Sequence, residues 1–264
     1  MSNGQLWKGF PWGRRSITGK RKSCRMLGVN NVALAENIAA VRARINEALA
    51  VAGRHPADLT LVAVTKYVDA LTIKELLAHG VEHIGENRLQ EAVRKQAVLG
   101  DFKNRFKWHF IGSLQTNKAR QVAAKFDLIH SLDRMNLAEA LQKASQKLNK
   151  EIPVLIQVNV SGEQTKHGVD PAEVGAFYAE VRKLPGLCPV GLMTMAPYTE
   201  DPETSRPVFR ELRLLFERIK RDYNPGPQWR ELSMGMSNDY VVAIEEGATI
   251  VRIGSAIFGA ETEG

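Results

Sequence analysis

The sequence predicts an α/β protein built on a single (β/α)8 TIM barrel, preceded by an N-terminal helix and a basic, disordered leader. Three observations predict it. The 264 residues suit one barrel of roughly 250 residues. Short apolar runs alternate with helical patterns, as in parallel strands linked by crossover helices. Polar residues follow most of the runs, where barrels build their sites. An open, doubly wound sheet is the alternative.

The leader, residues 1–31, differs in composition from the rest of the chain. It contains no acidic residue and seven of the 36 basic ones: Lys8, Arg14, Arg15, Lys20, Arg21, Lys22 and Arg25. They account for the net charge of +7, since 29 basic residues remain against 29 acidic ones. The leader lacks the apolar segment of a secretory signal, and we expect it to be disordered. It is compatible with a targeting peptide or with a true start at Met26, which we favour.

The predicted domain, residues 32–264, begins with an amphipathic helix over Val32–Ala52, which Gly53 ends. Eight apolar runs then predict strands: Leu59–Thr65, Glu82–Gly85, Trp108–Gly112, Leu128–Ser131, Val154–Val160, Val190–Met195, Glu231–Gly235 and Thr249–Ile253. Helical patterns lie between them: Ile73–His79, Leu89–Leu99, Leu137–Leu148, Pro171–Leu184, Thr204–Tyr223 and Tyr240–Glu246.

Lys66 directly follows the first predicted strand. A lysine at the carboxyl end of a barrel strand, partly removed from water, can offer its free amine to an aldehyde and form a Schiff base. The aldehyde that this chemistry suggests is pyridoxal 5'-phosphate. Taken alone, Lys66 would be interpreted as a surface lysine that caps a strand, since most strand-end lysines are solvated; the rest of the sequence favours the Schiff base.

Glycine and serine residues follow the last two predicted strands, in Ser233–Asn238 and in Gly254-Ser255. At a strand-to-helix junction such residues expose backbone N–H groups that bind anions. Barrels commonly bind phosphate after strands seven and eight. Because strand one is next to strand eight in a closed ring, we expect Lys66 beside this phosphate site.

Six short motifs occur in order between about residue 32 and residue 260: Ala63–Lys66, Ile84–Asn87, Trp108–Gln115 with Asn117-Lys118, Leu192-Met193, Leu232–Ser237, and Val251–Gly254 with Ile257–Gly259. They resemble those of the pyridoxal-phosphate homeostasis family, the YggS/PROSC group. This resemblance implies an alanine-racemase N-terminal-domain-like barrel with pyridoxal phosphate held as an aldimine on Lys66.

The resemblance also implies a set of cofactor-binding residues: Lys66, Asn87, His109, Met234, Ser237, Arg252, Gly254 and Ser255. Ser237, Gly254 and Ser255 would bind the phosphate, and Arg252 would face the pyridine nitrogen, where a charged guanidinium makes the ring a weak electron sink. From the residues alone, Asn87 is also compatible with a turn, His109 with a hydrogen-bonded core histidine and Met234 with packing.

The expected function is to carry or buffer pyridoxal phosphate and to maintain vitamin B6 and amino-acid homeostasis, without catalysis. Alanine racemases use a second acid/base, a tyrosine from a carboxyl-terminal domain, whereas this sequence continues only about ten residues past Arg252. We therefore expect a monomer without robust racemase activity, with pyridoxal-phosphate-dependent apoenzymes as candidate recipients. A slow racemase or lyase of unknown specificity is the alternative.

Composition argues against several other classes. Cys24 and Cys188 are too few for a disulfide framework and indicate a reducing cytoplasm. No run approaches the ~20 apolar residues of a membrane span. The six histidines show no metal-ligand spacing. With the domain formally neutral, we expect no nucleic-acid or membrane partner, and binding through the basic leader is the alternative left open.

Overall fold

The computed structural model of the chain describes residues 31–163 and 167–259. The predictions about the leader, apart from Asn31, and about a start at Met26 lie outside the described residues. Residues 164–166 lie outside them as well. The first helix begins at Asn31, one residue before the predicted domain boundary.

Eight parallel strands form a closed barrel in sequence order, and the ring closes where the first strand pairs with the eighth. The predicted (β/α)8 architecture is therefore confirmed, and the open sheet is wrong. The strands are β1 (Thr60–Val64), β2 (His83–Glu86), β3 (Lys107–Phe110), β4 (Leu128–Leu132), β5 (Ile152–Gln157), β6 (Leu187–Met193), β7 (Glu231–Ser233) and β8 (Ile250–Ile253).

Helices surround the barrel: α1 (Asn31–Val51), α2 (Ala70–Leu76), α3 (Leu89–Leu99), α4 (Ala119–Lys125), α5 (Met135–Leu148), α6 (Val174–Val181), α7 (Arg206–Tyr223), α8 (Tyr240–Glu245) and α9 (Ser255–Phe258). Short 3-10 turns extend some of them, for example Leu77–His79 after α2. Within the described ranges, no helix combines the length and the apolar character needed to cross a lipid bilayer.

Two short helices, α4 and α9, were not predicted from the sequence. The buried face of α4 consists of Ala119, Val122 and Ala123, whose small side chains give a weak hydrophobic period. Helix α9 has four residues, which is about one turn and too short for any period. Strand bounds differ from the predictions by at most three residues, because the sheet ladder does not begin and end where an apolar run does.

A small apolar cluster fills the inside of the barrel. Its buried members come from five strands: Val62, Leu128, Leu155, Met193 and Ile250. Their neighbours along the strands, such as Ala63 and Val251, belong instead to the large core between the strands and the helices. Since strand residues alternate between two faces, Arg252, two positions after Ile250, faces the inside. The same alternation extended from Val62 directs Lys66 inward.

Helix α1 packs against α8 and α9 and covers the barrel beside β8. Its buried side chains recur at spacings of three and four, at Leu34, Ile38, Val41, Ile45 and Leu49. Asn37 Nδ2 also donates a hydrogen bond to the Ile257 carbonyl at 3.0 Å. Because α9 is short, α1 supplies the apolar cover that a full helix after β8 would give.

Gly191 on β6 is expected to be essential to the barrel, because it pairs with Glu231 on β7. A Cβ atom at Gly191 would lie 1.8 Å from the Glu231 carbonyl oxygen, so Gly191→Ala must separate two strands. We expect a loss of about 3 kcal/mol or more of unfolding free energy, at or above the upper range for overpacked cores. Urea denaturation followed by circular dichroism measures it. Gly53→Ala is the control: φ there is +65° in open space, and the expected loss is about 1 kcal/mol. Equal losses in the two variants would contradict the steric argument.

Candidate functional site

Arg252 places a fixed positive charge inside the barrel near the carboxyl ends of the strands. Its Nη1 donates to Ser233 Oγ at 2.6 Å, and its Nη2 donates to the Thr194 carbonyl at 2.9 Å. Burial lowers the pKa of Arg252 to about 10, with Asp239 opposing the shift. The guanidinium is therefore charged at neutral pH, and its two hydrogen bonds fix its orientation.

The loop after β7 brings Ser237 to the beginning of α9. Ser237 Oγ accepts hydrogen bonds from the backbone N–H groups of Gly254 at 3.1 Å and Ala256 at 3.3 Å. Within the loop, the Asp239 carboxylate accepts a hydrogen bond from the Met236 N–H at 2.6 Å, which fixes the turn that carries Ser237. Two backbone donors therefore converge on one point at the carboxyl end of β8, as an anion requires.

Lys66 lies at the same end of the barrel. Its side chain is partly buried, and its Nζ lies 5.7 Å from the centre of the Tyr67 ring. Tyr67 has φ of +65°, a left-handed conformation that costs roughly 1–3 kcal/mol outside glycine, so the chain turns sharply after the lysine. A Cβ atom at Gly254 would lie 3.4 Å from Val64 Cβ, which puts the backbone donors beside the strand that carries Lys66.

A buried ion pair supports the backbone directly before Lys66. Lys95 Nζ donates to the Glu86 carboxylate and to the Thr65 carbonyl, both at 2.6 Å. Thr65 Oγ1 donates to the same carboxylate oxygen at 2.6 Å. The side chains of Lys95 and Glu86 are 3% and 0% exposed, so water does not screen the pair. The end of β1 is thereby tied to β2 and α3.

Three histidines extend from Ser233 through the barrel. His130 contacts Ser233 Oγ, His109 contacts His130, and His83 contacts His109, each through ring nitrogens at 2.9 Å. Burial, with a smaller effect of His83, lowers the pKa of His109 to about 3. Burial also holds the pKa of His130 well below its ordinary value, with His109 and Arg252 adding to the shift. His109 and His130 are therefore neutral at neutral pH.

The carboxyl end of the barrel strands carries most of the predicted site residues: Lys66, Asn87, Ser237, Arg252, Gly254 and Ser255. His109 lies on the inside of the ring, and Asn87 is exposed after β2. The Met234 side chain is fully buried in the large core, so packing accounts for its position. Cofactor contacts of Asn87, His109 and Met234 stay predictions.

The sequence analysis missed four residues that fix the site residues and the neighbouring backbone in position through hydrogen bonds. They are His83, His130, Lys95 and Glu86. One available signal was the alternation of strand residues, which puts His83, His109 and His130 on the inner faces of three consecutive strands. The partner of Glu86 had no comparable signal, since Lys95 lies within an ordinary helical pattern. Within the described parts of the chain, no group of three or more His, Cys, Asp or Glu side chains could hold a metal ion.

Comparison with known proteins identifies the class of this barrel. The family described as "Alanine racemase, N-terminal domain" matches residues 29–262. The chain therefore has the alanine racemase N-terminal domain fold, and the predicted resemblance is confirmed. Alanine racemase of Corynebacterium glutamicum shares this fold at 18% identity with a TM-score of 0.62, over 88% of this chain and 62% of that one.

Relatives at higher identity define the family more narrowly. The pyridoxal phosphate homeostasis protein of Aquifex aeolicus is 46% identical over 85% of this chain and 96% of its own length. That of Pseudomonas aeruginosa is 44% identical over 88% of this chain and 97% of its own length. The chain belongs to the pyridoxal phosphate homeostasis protein family. PipY of Synechococcus elongatus, solved with PLP bound, is 36% identical with a TM-score of 0.74, over 86% of this chain and all of PipY.

Removing one partner of the buried ion pair should destabilise the protein strongly. Lys95→Met leaves the Glu86 carboxylate buried without its cation, and breaking such a pair typically costs about 3–5 kcal/mol. The unfolding free energy in urea is the measurement. Lys183→Met is the matched control, because the Lys183–Glu180 pair is exposed and its loss should change stability by only about 0.5 kcal/mol. Similar losses in the two variants would show that burial does not matter here.

Proposed function

We propose that this protein binds pyridoxal phosphate reversibly at the carboxyl-terminal end of its barrel and serves to hold and release it. The observation that carries the proposal is the meeting of three groups in a chain of this family. They are the primary amine of Lys66, two convergent backbone donors at Gly254 and Ala256, and the buried guanidinium of Arg252. The PLP-bound structure of PipY, a relative at 36% identity, supports the same ligand.

The described residues fit the two reactive ends of this cofactor. Pyridoxal phosphate, when bound, supplies an aldehyde that reacts reversibly with a primary amine, and a phosphate that needs hydrogen-bond donors. Lys66 offers the amine. The N–H groups of Gly254 and Ala256, now donating to Ser237 Oγ, offer donors of the kind that bind phosphate, and Ser237 and Ser255 add hydroxyl groups beside them.

Arg252 favours holding over turnover. Because it is charged at neutral pH and fixed by Ser233 and Thr194, it opposes the addition of a proton to a ring nitrogen placed beside it. An aromatic nitrogen that stays neutral withdraws electrons weakly, so the site activates a bound amino acid poorly. The names of the relatives, which refer to homeostasis, agree with this part of the proposal.

Three finer features of the function stay predictions. The protein is expected to act as a monomer, to supply pyridoxal-phosphate-dependent apoenzymes and to work in the cytoplasm. The monomer is expected from the contrast with alanine racemases, the recipients from the family resemblance, and the location from the presence of only two cysteines in the sequence.

Removing the amine should abolish covalent binding. Lys66→Ala is expected to lose the visible absorption that wild-type protein shows after incubation with pyridoxal phosphate, because the substitution removes the amine with which the aldehyde is proposed to react. Borohydride reduction followed by peptide mapping should put the label on Lys66 in wild type. Lys147→Ala, which alters an exposed lysine on α5, is the control and should retain the absorption. Unchanged absorption in Lys66→Ala would overturn the role of this lysine.

Amino-acid turnover should be absent at ordinary enzymatic rates. Wild-type protein saturated with pyridoxal phosphate is incubated with alanine or serine of one handedness, and chiral chromatography measures the other enantiomer. We expect none above the level given by free cofactor, because proton exchange on both faces of Cα needs a second acid/base opposite Lys66. Turnover of roughly 1 per second or faster, the range typical of enzymes, would instead favour the racemase alternative.

A further inference from the structure

A chain of hydrogen bonds crosses the barrel from Arg252 to the opposite end. It runs from Arg252 Nη1 to Ser233 Oγ at 2.6 Å, and then through His130, His109 and His83 at 2.9 Å each. Ser233 lies on β7, and the three histidines lie on β4, β3 and β2. Ser233, His130 and His109 are buried, whereas His83 is partly exposed.

The chain has a defined direction. Arg252 can only donate, so Ser233 Oγ accepts from it. Among the described residues, His130 Nδ1 is the acceptor that remains for the Ser233 hydroxyl hydrogen. His130 therefore carries its hydrogen on Nε2 and donates to His109 Nδ1, and His109 Nε2 donates to His83 Nδ1. The reverse direction would leave the Ser233 hydroxyl hydrogen without an acceptor in the described part of the chain.

His83 is the partly exposed member of the chain. It lies at the beginning of β2 and lines a cleft of about 450 Å³ at the amino ends of β1 and β2. Burial lowers the pKa of His83, so it takes up a proton on the acid side of its ordinary value. The charged groups around it are Glu82, Lys107, Asp127 and Glu231, with Arg42 across the cleft. Three of the first four are acidic and favour its protonation, and Lys107 opposes it.

We propose that Ser233, His130 and His109 form a directional hydrogen-bond chain that positions Arg252 and connects it to His83, whose protonation reverses the chain and alters the cofactor site. The three are positioning residues, since they act through Arg252. The effect on the cofactor rests on the function proposed above, whereas the chain itself does not.

Reversal follows from the number of hydrogens that each ring can hold. His83 already carries a hydrogen on Nε2, so the second hydrogen of its cation must lie on Nδ1, which accepts from His109 while His83 is neutral. His83 then donates to His109, which donates to His130, which donates to Ser233 Oγ. Each hydrogen in the chain passes to the member nearer His83: His109 gives its Nε2 hydrogen to His83, His130 gives its Nε2 hydrogen to His109, and Ser233 gives its hydroxyl hydrogen to His130 Nδ1. The one added proton replaces the hydroxyl hydrogen on Ser233 Oγ, where it points toward the site, so that His83 becomes the cation while His109 and His130 stay neutral.

Nitrogen-15 NMR of the histidine rings in the full chain, without cofactor, tests the direction and the coupling. Above the titration of His83, His109 and His130 should both be neutral with hydrogen on Nε2. As the pH falls from about 8 to about 5, the range in which histidines titrate, both should change tautomer with the same midpoint as His83. Nδ1 hydrogens at high pH, or signals of His109 and His130 that stay constant while His83 titrates, would overturn the proposal.

His83→Gln provides a matched variant, because a glutamine carbonyl can accept from His109 Nε2 but does not titrate. In this variant His109 and His130 should keep their Nε2 hydrogens over the whole pH range. His79→Gln, at the end of the turn after α2, is the control. In this variant the histidines of the chain should show the same tautomer changes as in wild type. A tautomer change that persists in His83→Gln would show that His83 does not control the chain.

The affinity for pyridoxal phosphate, measured by absorbance over the same pH range, tests the link to the site. Relative to His83→Gln, wild type should lose affinity by about tenfold as His83 becomes protonated. A tenfold change in affinity corresponds to a difference of about one unit between the pKa of His83 in the free protein and in the bound protein. Equal pH profiles in the two proteins would overturn the link. If neither protein binds pyridoxal phosphate, the proposed function fails and the link with it, while the NMR result still decides the chain.

Discussion

Closure of eight parallel strands into a ring is the constraint on which the site depends, because it turns the simple alternation of strand residues into an inside and an outside. Below the site, the inside is apolar and is filled by residues such as Val62 and Ile250. Further along the same strands the inward positions carry Lys66 and Arg252. The barrel therefore brings an amine and a guanidinium to the same end without an additional element. The parallel pairing of β1 with β8 is sufficient.

Two cationic side chains are buried around this site, and the structure offsets their desolvation in different ways. Arg252 donates its hydrogen bonds to neutral acceptors, Ser233 Oγ and the Thr194 carbonyl, and the nearby Asp239 carboxylate also favours its charged form. Lys95 is instead neutralised by Glu86 and serves the backbone before Lys66. A carboxylate beside Arg252 in place of Ser233 would cancel the charge that the proposed site presents. The hydrogen-bonding partner therefore decides the role of each cation: Arg252 is suited to binding a ligand, whereas Lys95 supports the backbone.

The fold was largely predictable because each strand leaves a local apolar run and each long helix a local period, as α1 and α3 show. Lys66, Arg252 and the glycine-serine junctions were predictable for a related reason, since barrel sites occupy known strand ends. The hydrogen bonds between His130 and Ser233 and between Lys95 and Glu86 were not predictable from the sequence. They depend on register and on which helix covers which strands, and both are set by packing between segments far apart in sequence. Helix α4 was also missed, because its buried face is made of small side chains that give only a weak hydrophobic period.

A protein that holds a reactive aldehyde needs a site whose charge stays constant while conditions change. Arg252, with a pKa of about 10, and His109, with a pKa of about 3, keep the same charge from mildly acidic to mildly basic pH. His130 behaves like His109 for the same reason, burial. Within the hydrogen-bond chain, His83 is the ring that becomes charged, and it lies at the opposite end of the barrel from Lys66. If the chain reverses as proposed, protonation of His83 acts on the cofactor site through Ser233 and Arg252, although His83 lies at the other end of the barrel.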